Sequence, residues 1–219
     1  MRLDVFTLVP SAFAWIQERR PLAAVLGREL DLRIFNYRDS TPLSAGQVDD
    51  EPYGGGPGMV LRVDVVAAAL ESAYGGLPDH RVVALSPQGR QLTQEVVEEL
   101  ASEPQLTLLS SRFEGFDERV VAHLASDAIS IGPYVLSGGE LPAMVLVDAI
   151  VRRLPGALTP GSGEHESFSS ELDGGLEYPH YTRPPEFRGW QVPDVLLSGD
   201  HGRVDAWRRE QSRTRSAAL

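Results

Sequence analysis

Short apolar segments alternate with amphipathic segments over roughly the first 155 residues, and this alternation constrains the fold more than any other feature. Runs of four to eight branched and aromatic residues are typical of strands, whereas apolar residues spaced three and four apart indicate helices. The predicted strands are residues 2–9, 32–38, 80–87, 105–111 and 127–132. The predicted helices are 11–26, 63–74, a helix capped by Thr93, 117–125 and 140–154. This pattern predicts an α/β fold with a parallel sheet covered by helices on both faces.

The sequence changes character after this block. Residues 159–175 combine glycine, serine, proline and acidic residues with little periodicity, which is typical of a flexible linker. Residues 176–219 are proline-rich at first and then helical from about Gly202, and they are too few to build a core of their own. We therefore expect an α/β domain over 1–158, a linker over 159–175 and a small helical domain over 176–219.

Cysteine and lysine are both absent, so all 20 basic residues are arginine. The lack of cysteine excludes disulfides, thiolate metal sites and a cysteine nucleophile. The lack of lysine excludes a phosphate-loop lysine and a Schiff-base lysine. The five histidines show no HExxH spacing, so we expect no zinc site. The chain start lacks a signal-peptide pattern and the apolar stretches are too short to cross a bilayer, which predicts a soluble cytoplasmic protein.

The net charge of −11 argues against a nucleic-acid partner, but the charge is unevenly distributed. Residues 1–180 hold 13 arginines against 26 acidic residues, a balance of −13. Residues 181–219 hold seven arginines against five acidic residues, a balance of +2. These arginines fit either a solvated helix end, where cations are favoured, or an element that contacts phosphates.

Three loops that follow predicted strands are rich in glycine, serine and proline. They are residues 85–90, 110–119 and 131–140. Ligands of open α/β sheets bind at the carboxyl ends of the strands, so these loops are candidates for one pocket. Backbone amides between apolar walls suit a flat heteroaromatic ligand, and the missing GxGxxG pattern argues against a dinucleotide. Tight turns on a packed fold remain the alternative for each loop taken alone.

Six motifs occur in an order that resembles a known family, the bacterial tRNA (guanine-N1)-methyltransferases of the TrmD type. The resemblance covers essentially the whole chain. The motifs are DDEPYGGGPGM, LSPQGR, RFEGFDERV, SIGPYVLSGGELPAM, an SF pair after an acidic residue, and YPHYTRPPEFRG followed by VPDVLLSGDHGRV.

The resemblance implies a SPOUT methyltransferase domain with a deep trefoil knot, in which the three loops bind S-adenosylmethionine. It also implies a homodimer with active sites at the subunit interface. The implied reaction methylates N1 of guanosine 37 in tRNAs where a guanosine precedes it, with magnesium involved. The implied cofactor-binding residues are Leu85, Ser86, Pro87, Gln88, Gly89, Ser111, Phe113, Ser130, Ile131, Gly132, Tyr134, Leu136, Gly138 and Gly139.

Three residues are implied to be catalytic. Glu166 stands where the family has an aspartate that acts as general base, with Glu164 and His165 as local substitutes. Arg152 matches the arginine that pairs with this base and meets the guanine, and Glu114 matches a carboxylate near the cofactor. The alternatives are a solvated loop carboxylate for Glu166, a helix-end cation for Arg152 and a salt bridge of Glu114 with Arg112 or Arg119.

Two further departures affect the cofactor loops. Ser111 replaces a glycine that usually precedes the arginine of this motif, and Phe113 replaces a tyrosine. Both changes predict weaker cofactor affinity without a change of reaction class. The glycine loop at 54–58 and a set of arginines are implied to contact tRNA. The arginines are Arg183, Arg203 and Arg208.

Two other functions remain open from the sequence. One is a SPOUT methyltransferase that acts on another nucleotide or on rRNA. The other is a SPOUT-like RNA-binding module without catalysis. Ser111 and Glu166 leave this alternative open, because both depart from the family's pattern.

Overall fold

A computed structural model describes residues 1–163 and 166–218. Contacts divide the chain into two compact units, Met1–Ala157 and Leu158–Leu219. Among the residues described, no helix is long and apolar enough to cross a membrane.

The first unit is built on a five-stranded sheet in which all paired neighbours are parallel. The strand order is β2-β1-β6-β5-β7, and the short strands β3 and β4 pair separately in antiparallel fashion. The strands are β1 (Arg2–Thr7), β2 (Asp31–Asn36), β3 (Asp49–Asp50), β4 (Val60–Leu61), β5 (Arg81–Gln91), β6 (Gln105–Ser110) and β7 (Asp127–Ser130).

Helices cover both faces of this sheet, as the sequence predicts. The α-helices are α1 (Ala14–Gln17), α2 (Leu22–Val25), α3 (Val63–Tyr74), α4 (Gln94–Ala101) and α5 (Glu140–Val151). A π-helix at Val120–Leu124 and 3-10 helices at Pro10–Phe13, Tyr37–Asp39 and Ser44–Gly46 complete the unit.

Successive side chains of a strand point to opposite faces of the sheet, so the sheet separates two apolar cores. Val5 points into a core filled by α1, α2, α4 and α5, while its neighbour Phe6 points into a core filled by α3 and the π-helix. Leu146 of α5 and Leu70 of α3 are fully buried in these two cores. Each such side chain contributes about 1.5–3 kcal/mol through removal of apolar surface from water. Burial on both faces explains why the strands are almost continuously apolar.

Several elements differ from their predicted bounds, and two of these differences lie at a proline. The predicted helix over 117–125 is a π-helix over Val120–Leu124, and the predicted helix over 140–154 ends at Val151. The predicted helix over 11–26 is wrong: α1 ends at Gln17 and α2 begins at Leu22. Pro21 lacks an N–H donor and disfavours helical geometry at the residue before it, so it divides the helix. β5 instead continues past Pro87 to Gln91, because its pairing with β7 shifts register between Leu85 and Arg90.

The second unit is small and consists of short elements. They are a 3-10 helix (Ser170–Leu172), β8 (Glu186–Phe187), β9 (Trp190–Gln191), α6 (Asp194–Leu197) and α7 (His201–Ser216). Side-chain hydroxyls fix α7 to the segment before the hairpin. Ser212 Oγ donates to the carbonyl of Leu176 at 2.7 Å, and the amide of Leu176 donates to Ser216 Oγ at 2.8 Å. Asp200 caps α7 by accepting from the amide of Arg203 at 3.1 Å.

Candidate functional site

The three predicted loops converge because β6, β5 and β7 are adjacent and parallel, so their carboxyl ends lie at one edge of the sheet. They enclose a cleft with a volume of about 150 Å³. The predicted cofactor residues that line it are Leu85, Ser86, Pro87, Ser111, Phe113, Ser130, Ile131, Gly132, Tyr134, Leu136, Gly138 and Gly139. Glu114 lines it as well.

Gln88 and Gly89 are not among the described residues that line the cleft. Gly89 has a different reason to be glycine, since a methyl group there would overlap the backbone of Ala128 and Ile129 on β7. Gly89 therefore lets β5 approach the backbone of β7 closely where the pairing register shifts between Leu85 and Arg90. Cofactor contact by Gln88 or Gly89 stays a prediction.

The loop after β7 is fixed by its own hydrogen bonds. Ser130 Oγ donates to the carbonyl of Gly132 at 3.0 Å, and the amide of Tyr134 donates to the same carbonyl at 2.9 Å. The Tyr134 hydroxyl donates to the carbonyl of Ile131 at 3.1 Å, and its ring lies where a side chain at Gly132 would stand. This loop therefore holds its shape and presents backbone groups beside apolar side chains.

Gly139 brings this loop against the loop after β6. Its amide donates to the carbonyl of Ser111 at 2.8 Å, and a Cβ at this position would lie 2.6 Å from the Cα of Ser110. Ser111 is not among the residues with a positive φ angle, so serine there carries no left-handed strain. Phe113 does have a φ of +64°, an uncommon conformation for a bulky residue, and it is half exposed at the cleft.

A buried ionic contact beneath the cleft was not predicted from the sequence. Glu140 Oε1 accepts from the Thr7 hydroxyl at 2.8 Å, and Glu140 Oε2 lies 3.0 Å from Nε of Arg112. Thr7 is fully buried and Glu140 is 4% exposed. Burial, followed by the negative charge of Glu140, raises the pKa of the neighbouring Tyr37 hydroxyl. The sequence signal that could have indicated this contact is Glu140 itself, an acidic residue directly after two glycines in an otherwise apolar segment.

Glu114 lies where the cleft meets the glycine loop at 54–58. The amide of Glu114 donates to the carbonyl of Met59 at 2.9 Å, and the Glu114 side chain packs on Gly58. The arginines considered as its partners contact other carboxylates. Arg112 pairs with Glu140, and Arg119 Nη2 lies 2.7 Å from Asp117.

The other predicted residues belong to separate parts of the chain. Arg152 is the C-terminal cap of α5, where its amide donates to the carbonyl of Asp148 at 3.1 Å. Glu166 belongs to the second unit, and its carbonyl accepts from the amide of Ser169 at 3.1 Å. Glu164 and His165, the predicted substitutes for Glu166, lie outside the described residues.

The predicted RNA-contacting arginines differ in their surroundings. Arg183 and Arg203 are exposed, whereas Arg208 is half-buried with its guanidinium 4.8 Å from the ring centre of Tyr178. Within residues 1–163 and 166–218, no three His, Asp or Glu side chains converge as they would around a metal ion.

The comparisons with known proteins are consistent along the whole chain. Residues 1–218 match the model of the family described as tRNA (guanine-1)-methyltransferase TrmD. A tRNA (guanine-N(1)-)-methyltransferase of Brevibacillus brevis is 48% identical over 220 residues, covering 100% of this chain and 89% of the relative. Proteins of that name from Dehalococcoides mccartyi and Gloeobacter violaceus are 47% and 49% identical. They cover 99% of this chain and 87% and 95% of the relatives. The chain therefore belongs to the TrmD family of tRNA (guanine-1)-methyltransferases.

Proposed function

We propose that the protein transfers a methyl group from S-adenosylmethionine to N1 of guanosine 37 in tRNAs in which a guanosine precedes that position. The observation that carries this proposal is the family match over residues 1–218. It favours this reaction over both alternatives left open by the sequence. These are a SPOUT methyltransferase with another RNA target and a binding module without catalysis.

The cleft fits the proposed cofactor in chemistry. Leu85, Ile131 and Leu136 offer apolar walls for an adenine ring, while the glycines of the loop leave backbone amides and carbonyls accessible to its edge. Glu114 places a carboxylate at the same cleft, which favours a sulfonium cation through its charge. When bound, S-adenosylmethionine supplies an electrophilic methyl group on a sulfur that leaves as a neutral thioether.

The protein's own residues prepare the nucleophile. Guanine N1 carries a proton at neutral pH, so a general base must accept it before or during formation of the N1–carbon bond. We assign this role to the Glu166 carboxylate. The electron density left on the ring spreads to O6, where the Arg152 guanidinium stabilises it. Magnesium, which the resemblance implies, is assigned no step, because no ligand cluster converges among the described residues.

The same proposal includes a knot, a division into domains and a set of tRNA-contacting arginines. We also propose the deep trefoil knot that the resemblance implies, with the backbone of Gly89 packed closely on β7 and that of Gly139 packed closely on Ser110. We propose a knotted cofactor-binding domain over 1–158, a linker over 159–175 and a tRNA-binding domain over 176–219. Arg183, Arg203 and Arg208 supply the tRNA contacts of the last domain.

A homodimer with active sites at the subunit interface is supported by the exposed face of α5. Leu141 and Val145 lie one helical turn apart and are 57% and 45% exposed. Apolar side chains in such a row are typical of a surface that a second subunit covers. With tRNA as substrate, we place the enzyme in the cytoplasm.

Methylation of two tRNA transcripts tests the proposal. One transcript carries guanosines at positions 36 and 37, and the other differs only by lacking the guanosine at 36. The expected result is a methyl group at N1 of guanosine 37 in the first transcript and much slower transfer to the second. Methylation at another position would support a different SPOUT enzyme. Failure to bind S-adenosylmethionine at millimolar concentration would support the binding module.

A further inference from the structure

The Thr7–Glu140–Arg112 contact lies beneath the cleft and joins three parts of the first unit. Thr7 ends β1, Glu140 begins α5, and Arg112 belongs to the loop after β6. We infer that Glu140 is a positioning residue for the cleft, which acts through Arg112 to hold the loop after β6 against the loop after β7. The inference rests on the proposed function only for the identity of the ligand.

Burial makes these contacts stronger than surface contacts of the same kind. The Glu140 side chain is 5% exposed; its Oε1 accepts a hydrogen bond from the Thr7 hydroxyl, and its Oε2 makes an ionic contact with Arg112 Nε at 3.0 Å that lacks hydrogen-bond geometry. A charge in such surroundings is weakly screened, so its orientation is fixed by the partners it has. Thr7 is fixed in turn, because its hydroxyl accepts from the amide of Val9 at 2.9 Å. The sheet edge therefore sets the position of the carboxylate.

Arg112 connects the positioned carboxylate of Glu140 to the cleft. Its side chain is 33% exposed and lines the cleft, while its buried Nε lies 3.0 Å from Glu140 Oε2 and depends on that charge for compensation. Phe113 and Glu114 follow it directly and also line the cleft. A fixed Arg112 limits the conformations open to these neighbours, and Phe113 has the left-handed backbone that needs such restraint.

The loop after β7 packs on the same ion pair. A Cβ at Gly138 would lie 2.6 Å from Glu140 Oε2 and 2.7 Å from Arg112 Nε. Gly138 is not among the residues with a positive φ angle, so the space taken by the pair explains the glycine better than backbone conformation does. Both cleft loops thus contact one buried carboxylate, although Glu140 is not among the described residues that line the cleft.

Glu140→Gln tests this role, because glutamine keeps the shape and an oxygen acceptor but removes the charge. We expect S-adenosylmethionine binding, measured by calorimetry, to weaken by about tenfold or more. We also expect faster amide hydrogen exchange in residues 111–116 and 132–139 of the ligand-free variant. The affinity for tRNA, measured separately without cofactor, should stay within about twofold. Glu99→Gln is the matched control, since Glu99 pairs with Arg81 and Arg90 outside the cleft.

Substitutions at Thr7 separate positioning from general loss of stability and serve if Glu140→Gln does not fold. Thr7→Ser keeps the hydroxyl and should bind the cofactor like the native protein, whereas Thr7→Val removes the hydroxyl and should weaken binding. Cofactor affinity and hydrogen exchange equal to native in both Glu140→Gln and Thr7→Val would overturn the inference. If the native protein itself does not bind S-adenosylmethionine, the proposed function fails. The exchange comparison still decides the positioning role, and unchanged exchange overturns it.

Discussion

Gly58 packs directly against the carboxylate of Glu114, which joins the glycine loop at 54–58 to the cleft. Backbone hydrogen bonds run alongside this contact. The amide of Glu114 donates to the carbonyl of Met59, and the amide of Leu61 donates to the carbonyl of Gly115, each at 2.9 Å. The position of the loop that is expected to contact tRNA is therefore coupled to the position of the carboxylate that is expected to act near the cofactor.

Gly58→Ala should disturb the cleft, because the added methyl group would overlap Glu114. Gly55→Ala is the matched control. Both glycines have a left-handed backbone, with φ of +80° and +77°, but nothing lies within 4 Å of a Cβ at Gly55. Both variants should lose about 1–2 kcal/mol to backbone strain. Only Gly58→Ala should also reduce cofactor affinity, measured by calorimetric titration. Equal affinities in the two variants would show that the contact has no influence on the cleft.

Gly139→Ala should destabilise the first unit by about 1–3 kcal/mol, because a Cβ would lie 2.6 Å from the Cα of Ser110. Backbone cannot move aside as a flexible side chain can. Gly76→Ala is the control, since Gly76 also lacks a positive φ and has open space around it. Urea unfolding measures the free energy of unfolding of both variants. A Gly139→Ala protein as stable as Gly76→Ala would mean that the two loops separate at little cost.

The parallel sheet, the two covered faces and the three cleft loops were predictable because each rests on local pattern. The helix over Val63–Tyr74 has the predicted bounds, since its apolar spacing and the following glycines are local signals. The ion pair of Arg112 with Glu140 was not predictable, because it joins residues 28 positions apart through tertiary packing. The same holds for Gly89, which the sequence assigns to a ligand and the structure places against β7.

Glu166→Gln should slow methyl transfer by roughly 10²- to 10⁴-fold if Glu166 is the general base, because an amide cannot accept the N1 proton. Single-turnover kinetics at saturating tRNA and cofactor isolates this step from binding. Glu171→Gln is the control, a second glutamate of the same unit with no assigned role. Near-native rates for Glu166→Gln would remove Glu166 from the mechanism, with Glu164 and His165 as the next candidates.

Asp127→Asn should make the stability of the protein less dependent on pH in the acid range. Burial disfavours the ionised form of Asp127, but hydrogen bonds from Arg90 and Arg81 outweigh this effect and lower its pKa. Below about pH 4 the unfolded chain binds a proton at this residue more readily than the folded protein does. The free energy of unfolding therefore decreases as the pH is lowered. Denaturant unfolding at a series of pH values should show a lower stability at neutral pH and a shallower acid slope for the variant. Asp39→Asn, at an exposed site, is the control, and slopes equal to native in Asp127→Asn would contradict the prediction.

Arg203→Gln should weaken tRNA binding if the arginines of α7 contact phosphates. Arg203 is exposed near the start of the helix, while Arg208 lies over Tyr178 and 3.7 Å from Asp205. Losing one phosphate contact reduces the slope of log affinity against log salt by roughly 0.7–0.9. Filter binding from low to moderate salt measures this slope for Arg203→Gln and for the control Arg28→Gln, an exposed arginine of the first unit. Arg208→Gln should also lower the melting temperature, because its guanidinium packs on an aromatic ring. A slope unchanged by Arg203→Gln would show that this arginine is only a solvated residue of the helix.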